Sequence, residues 1–325
     1  MSPSTLLAAG AAHLRGDLEE VERVLAERLT SSVPVVSDLG RYLVESGGKR
    51  FRPALVLLFY KLLGAKGERE DAVELAAVVE MIHLATLAHD DVLDEAPERR
   101  GRASLWKLSG SQIAVLEGDF IFSRAFRLLN PQPFAIRERI IEAVEEVLEG
   151  ELLQESLRGR VPTEEEYERV IRGKTGALIR AACAVGALCG DPDLPEDRLI
   201  SIERAGLLLG MAYQMIDDLL DVFGDEALGK PRGIDQRGGW LTWPYIRLVE
   251  RSGDPRLLEL LRGPLEEEQR EELRTEMERL GIREAFAARA RALVEEAKGL
   301  LGWLADSPLK AVLFQGFDFV IERDR

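Results

Sequence analysis

Three long segments carry apolar residues at three- and four-residue spacing: "EDAVELAAVVEMIHLATLAHDDVLD", "IRERIIEAVEEVLEGELLQESLRG" and "EDRLISIERAGLLLGMAYQMIDDLLDVFGD". That period fits the turn of an α-helix, not the alternation of a strand. Strand-like runs bounded by turns are nearly absent. The pattern predicts an all-α bundle of about ten or more helices packed around an apolar centre. Several of these helices are apolar on most faces, which predicts central helices ringed by others. A helix start is also marked, because "PTEEEYERV" offers Thr163 as an N-cap with Glu166 three residues on. The 325 residues contain neither low-complexity tracts nor long Pro/Gly/Ser linkers, so a single domain over residues 1–325 is expected.

The chain is acidic, with 58 Asp and Glu against 43 Lys and Arg and a formal charge of −15. This argues against nucleic acid as a partner, since that affinity rests on neutralising phosphates. An anionic substrate would have to be met by local cations or metal ions. The two cysteines, Cys183 and Cys189, lie six apart in an apolar stretch and read as buried core thiols. The N-terminal "MSPSTLLAAGAAHLRGDLEE" lacks a basic stretch before its short apolar run and is a poor signal peptide. No uninterrupted apolar run reaches the ~18 residues of a membrane span. A cytoplasmic protein with no membrane span is expected.

Two near-identical acidic clusters end two of the periodic segments: "DDVLD" at 90–94 and "DDLLD" at 217–221. In each, the first and last aspartates are four apart, which stacks them on one helical face with ~5–6 Å between Cβ atoms. The second aspartate points about 100° away and suits a supporting role. Like-charged carboxylates at the end of a buried helix repel one another and lose solvation. Divalent cations relieve both costs, and Mg²⁺ suits one or two carboxylates plus substrate phosphates. Neither cluster has the ligand alternation of a calcium loop, and His13, His83 and His89 form no zinc motif.

Arginine is the default cation here, for only eight of the basic residues are lysines. Three of those lysines directly follow a glycine: Lys49 in "GGKRFRP", Lys174 in "RGKTGA" and Lys230 in "LGKPRG". Lysine supplies a compact charge for phosphate oxygens. In "GGKRFRP" the glycines allow close backbone approach and Pro53 fits the first turn of a helix. Pro97 ends the helix of the first acidic cluster and leaves Arg99 and Arg100 in a loop beside it. Gly173 and Gly176 read either as a kink or as close helix packing through small residues. Acidic faces with cations beside them suit a metal-bridged diphosphate, and an apolar cavity suits a hydrocarbon tail.

Together, "GGKRFRP", "EMIHLATLAHDDVLDEAPERRG", "AVLEGDFIFSRAF", "EGELLQE", "KTGALI", "YQMIDDLLDVFGD" and "LGKPRGID" resemble the trans-type isoprenyl (polyprenyl) diphosphate synthase family. The resemblance runs nearly end to end. It implies helices around a deep central cavity, a homodimer, and Mg²⁺-dependent elongation of an allylic prenyl diphosphate with isopentenyl diphosphate. It also implies three Mg²⁺ ions with diphosphate bound, held by Asp90, Asp94 and Asp217, with Asp91, Asp218 and Asp221 supporting them, partly through water. Arg99, Lys174 and Lys230 would hold the allylic diphosphate. Thr175 and Gln214 would face the developing carbocation. Lys49, Arg52, His83 and Arg100 match the isopentenyl diphosphate site. Release of product at a membrane surface fits the same reading. One departure stands out: Trp240 in "GGWLTWP" occupies the place of a family lysine, with Arg237 as a substitute cation. A regulatory or partner-dependent subunit of a heteromeric synthase is the alternative that this departure supports.

Residues four and five before Asp90 are Thr86 and Ala85, about one turn (~5.4 Å) below it. Bulky aromatics at these places close the family's cavity early. Small residues predict a tail that passes deeper and a medium- to long-chain product.

Overall fold

Helical periodicity becomes helix along most of the chain. The computed structural model describes residues 3–99, 101–224, 233–263 and 265–322, with side chains from residue 13 onward. The first helices are α1 (Pro3–Arg28), α2 (Pro34–Glu45), α3 (Phe51–Leu62) and α4 (Arg69–Leu93). A two-residue hairpin, β1 (Glu98–Arg99) and β2 (Arg102–Ala103), precedes α5 (Leu105–Ser109), α6 (Ser111–Leu129) and α7 (Phe134–Ser156). Then come α8 (Glu164–Ile171), a π-helical turn (Arg172–Gly176), α9 (Ala177–Gly190) and α10 (Glu196–Phe223). The last helices are α11 (Ile234–Gly238), α12 (Trp243–Ser252), α13 (Arg256–Leu260), α14 (Glu267–Arg279), α15 (Ile282–Leu300) and α16 (Pro308–Glu322). The all-α expectation holds.

The chain divides into two compact units, one of Met1–Val144, Ala181–Glu203 and Leu304–Leu313, the other of Glu145–Arg180, Arg204–Trp303 and Phe314–Arg325. In the first unit α4 is the central helix, packed by α1, α3 and α6. It buries Val78, Met81, Ile82, Leu84, Ala85 and Ala88. By length and composition α4 and α10 are apolar enough to cross a membrane, yet 72% and 67% of their apolar windows are buried inside the protein. Such burial is what core helices of a globular unit show.

Arg50 ties this unit together. It is buried, with φ at +47°, and donates to Glu22 at 2.5 and 3.0 Å, to Glu80 at 2.8 Å and to the Val44 carbonyl at 3.0 Å. A buried guanidinium needs such partners, and losing one would strand the buried Glu80 carboxylate. The segment that carries Lys49 and Arg52 is thereby fixed to α1 and α4. Cys183 and Cys189 are buried free thiols, as read from the sequence.

The second unit has its core among α8, α10, α12, α14 and α15, with Tyr167, Met215, Trp243, Met277 and Phe286 at its centre. Trp243 stacks on Phe286 at 4.7 Å between ring centroids, near the 4.5 Å limit of offset stacking. The predicted cap of α8 is present in full: Thr163 accepts from the Glu166 N–H, and Glu166 accepts from the Thr163 N–H at 2.8 Å. Trp243, Arg247 and Arg289 all donate to Glu164 in the first turn of α8. This helix is therefore anchored at its start to α12 and α15.

One buried group opposes folding at neutral pH. Glu117 on α6 is 2% exposed, and its Oε1 has no hydrogen-bond partner. Burial alone raises its pKa from 4.5 to about 7. The folded protein holds this proton where the unfolded chain has released it, so stability falls as pH rises from 4.5 towards 7. Glu117→Gln removes that dependence. Urea unfolding should show wild type losing up to about 3 kcal/mol relative to the variant between about pH 5 and about pH 8. Parallel stability profiles would contradict this.

Candidate active site

The first acidic cluster occupies the last turn of α4. The helix ends earlier than Pro97 requires, because Glu95 turns left-handed with φ at +49°. Its N–H bonds the Val92 carbonyl at 3.4 Å, and the Ala96 N–H bonds the Asp91 carbonyl at 3.1 Å. This pair of bonds closes the helix end in a Schellman arrangement. Asp90 is half-buried, Asp91 is buried and Asp94, the C-cap, is exposed. Carboxylates at a helix C-terminus meet the negative end of the macrodipole, which adds to their mutual repulsion. A cation is the natural relief.

Asp91 has its own partner. Arg99 donates to its Oδ1 from Nε at 2.7 Å and Nη2 at 2.6 Å. Burial raises the Asp91 pKa, and the Arg99 guanidinium opposes that rise. Arg99 reaches it from a hairpin where the sequence suggested only a loop. Glu98 pairs with Ala103, and Arg99 with Arg102. Tyr42 fixes the hairpin by donating to the Ala103 carbonyl at 2.7 Å, while the Arg102 guanidinium lies 4.3 Å over its ring. Arg100 lies outside the described residues. His89, just before Asp90, lies against α6: its Nε2 is 3.2 Å from the Val115 carbonyl. A Cβ on Gly118 would fall 2.3 Å from that nitrogen, so only glycine admits the ring there. Lys49 is exposed and Arg52 half-buried at the start of α3, and His83 is half-buried on α4, two turns before Asp90.

The second cluster lies in the last two turns of α10. Asp217 and Asp221 are half-buried, and Asp218 is buried. Asp221 accepts the backbone N–H groups of Ile234 at 2.9 Å and Asp235 at 3.3 Å, which ties the start of α11 to the cluster. Asp218 accepts from the Tyr167 hydroxyl at 2.6 Å and from Gln214 Nε2 at 2.8 Å. Burial still pushes the Asp218 carboxyl up to about 7, against those two hydrogen bonds. Gln214 in turn accepts from Thr175 Oγ1 at 2.7 Å.

Thr175 lies in the π-helical turn, where the Ala177 N–H bonds the Arg172 carbonyl. The close-packing reading of this segment holds. A Cβ on Gly150 would lie 2.6 Å from the Lys174 nitrogen, and one on Gly210 would lie 2.7 Å from the Gly176 Cα. The turn is therefore both wound differently and packed against α7 and α10 through glycines. Lys174 pairs with Glu151 on α7 at 2.9 Å. Lys230 lies outside the described residues. Trp240, in the place of a lysine, packs on Gly238, where a Cβ would fall 2.3 Å from its ring. The Arg158 guanidinium lies 4.6 Å over the same ring. Arg158 thus stacks a cation on Trp240, held in part by the 2.8 Å bond from the Gly159 N–H to the Gly239 carbonyl.

Among the described residues no three His, Cys, Asp or Glu side chains gather into a protein-only metal cage. The donor sets fit Mg²⁺ nonetheless, because that ion commonly takes one or two carboxylates and completes its shell with water and substrate phosphates. Tyr167, Arg50 and Glu151 were not singled out in the sequence. Tyr167 sits at an apolar position of α8 and reads there as an ordinary core aromatic.

Known proteins match this chain over nearly its whole length. Octaprenyl diphosphate synthase of Escherichia coli is 35% identical over 316 residues, which are 95% of this chain and 96% of that protein. The crystal structure of a decaprenyl diphosphate synthase from Rhodobacter capsulatus superposes with a TM-score of 0.91 at 37% identity, covering 97% of this chain and 98% of that one. A polyprenyl synthase from Caulobacter crescentus, complexed with calcium and isoprenyl diphosphate, gives 0.90 at 30% identity and 98% coverage of both chains. The polyprenyl synthetase family model matches residues 33–279, and the chain belongs to that family of prenyltransferases.

Proposed function

We propose that this enzyme condenses an allylic prenyl diphosphate with isopentenyl diphosphate to make a trans-polyprenyl diphosphate of medium to long chain, releasing pyrophosphate. The observation that carries this reading is the repeated cluster at the ends of α4 and α10. In each copy the second aspartate is buried and paired within the protein, while the first and last carboxylates crowd the negative end of a helix. The Caulobacter relative, described with calcium and isoprenyl diphosphate, supports a divalent ion and a prenyl diphosphate as the matching ligands.

In this reading Asp90, Asp94 and Asp217 are the metal ligands, three Mg²⁺ ions bind with the diphosphate, and Lys174 and Arg99 hold its oxygens with Lys230. Bound Mg²⁺ neutralises charge that builds on the departing pyrophosphate. Lys174 is already placed by Glu151, so little reorganisation precedes its contact with phosphate. Lys49, Arg52, His83 and Arg100 hold isopentenyl diphosphate. Thr175 and Gln214 direct oxygen dipoles at the allylic cation.

Residues 1–325 act as one catalytic domain in the cytoplasm. A homodimer is supported by apolar side chains left open along α6 and α7, including Leu116 at 66%, Phe134 at 67% and Leu152 at 72% exposure. Thr86 donates to the His83 carbonyl at 2.9 Å. With its hydroxyl so engaged, the methyl group is what it offers an apolar tail. Ala85 is wholly buried, so Thr86 is the better gauge of product length.

Purified protein incubated with Mg²⁺, isopentenyl diphosphate and farnesyl or geranylgeranyl diphosphate should yield longer prenyl diphosphates. Asp90→Ala and Asp217→Ala should each lower the rate by on the order of a hundredfold or more, the scale of losing a group that stabilises transition-state charge. Full activity in either variant would remove the metal reading. Thr86→Phe should shift products towards shorter chains on chromatographic sizing. An unchanged product distribution would contradict the gauge.

A further inference from the structure

The hydrogen bonds around Asp218 have a definite direction. Its Oδ2 accepts from the Tyr167 hydroxyl at 2.6 Å and its Oδ1 from Gln214 Nε2 at 2.8 Å. Because the Gln214 amide spends its NH₂ on Asp218, its oxygen accepts from the Thr175 hydroxyl, at 2.7 Å. The Thr175 proton is then committed inward, and its oxygen offers lone pairs. Each link fixes the next, and the first link is the Tyr167 hydroxyl.

Tyr167 is well built for this task. It is 5% exposed, and its ring packs against Phe286 with centroids 6.5 Å apart. The α8 helix that carries it is held by the Thr163 cap and by Glu164, which accepts from Trp243, Arg247 and Arg289. The Tyr167 hydroxyl holds Oδ2 in place, and with it the plane of the carboxylate that turns Oδ1 towards Gln214. An ionised carboxylate oxygen only accepts, so the amide that faces it presents its NH₂.

We propose that Tyr167 is a positioning residue for prenyl transfer, which acts through Asp218 to set the direction of the Gln214 and Thr175 dipoles towards the allylic cation. This rests on the prenyl-transfer reading above. Tyr167 touches no substrate in this account. Its effect falls on the step that develops positive charge and not on diphosphate binding.

Tyr167→Phe keeps the ring and removes the donor. Steady-state kinetics should show kcat lowered on the order of 10- to 100-fold, the scale of losing a hydrogen bond to a charged group. KM for both substrates should stay within about twofold. Thr175→Val should then cost much less in the Tyr167→Phe background than in wild type, because the two share one chain of bonds. Should Tyr167→Phe fold poorly, Phe286→Leu, which loosens the packing of the Tyr167 ring and removes no polar group, should lower kcat in the same direction with KM held. An unchanged kcat, a rise in KM alone, or fully additive effects with Thr175→Val would overturn the positioning role while wild type still elongates. A wild-type protein that elongates no primer would overturn the prenyl-transfer reading, and this role with it.

Discussion

A buried carboxylate must find partners inside the protein, and that requirement organises both acidic clusters. An ionised carboxylate taken out of water without compensation costs several kcal/mol even after relaxation. Asp91 and Asp218 meet this demand in different ways. Asp91 takes both contacts from one guanidinium, Arg99, delivered by a short hairpin. Asp218 takes neutral donors from Tyr167 and Gln214. The consequence is shared. The middle aspartate of each cluster is turned into the protein and holds the side chains around it. An arginine partner keeps a cation at the first cluster. Neutral partners extend the second into a directed chain that ends on Thr175.

Helix geometry explains why the same five-residue pattern serves twice. Residues four apart share a face, so the outer aspartates stack, while the second is turned by about 100° into the protein. Both clusters also lie at helix C-termini, where the macrodipole disfavours anions. Folding thus concentrates unfavourable negative potential at two places. Divalent cations bound there, as proposed, would offset that potential.

Much of this was legible in the sequence because it depends on local periodicity. The three periodic segments became α4, α7 and α10, Thr163 formed its capping box with Glu166, and the offset of the second aspartate followed from helical spacing. What escaped notice depends on contacts far apart in the chain. Tyr167 and Asp218 are 51 residues apart, and Arg50 and Glu80 are 30 apart. Neither tyrosine nor arginine announces a distant carboxylate partner. The left-handed Glu95 also went unread, because proline at 97 offered a simpler helix stop and glutamate rarely adopts that conformation. Trp240 shows the reverse case. The sequence marked it as a lost lysine. Its fit on Gly238 and under Arg158 became visible only once the ring had a position.

The central claim is that the outer carboxylates exist to bind a diphosphate through divalent cations. The most direct test is calorimetric titration of an unreactive allylic thiolodiphosphate into the protein, once with Mg²⁺ and once with chelator. The account predicts tight binding with Mg²⁺ and binding weakened by orders of magnitude without it. Equal affinity under both conditions would show that the protein's own cations suffice, and would contradict the account.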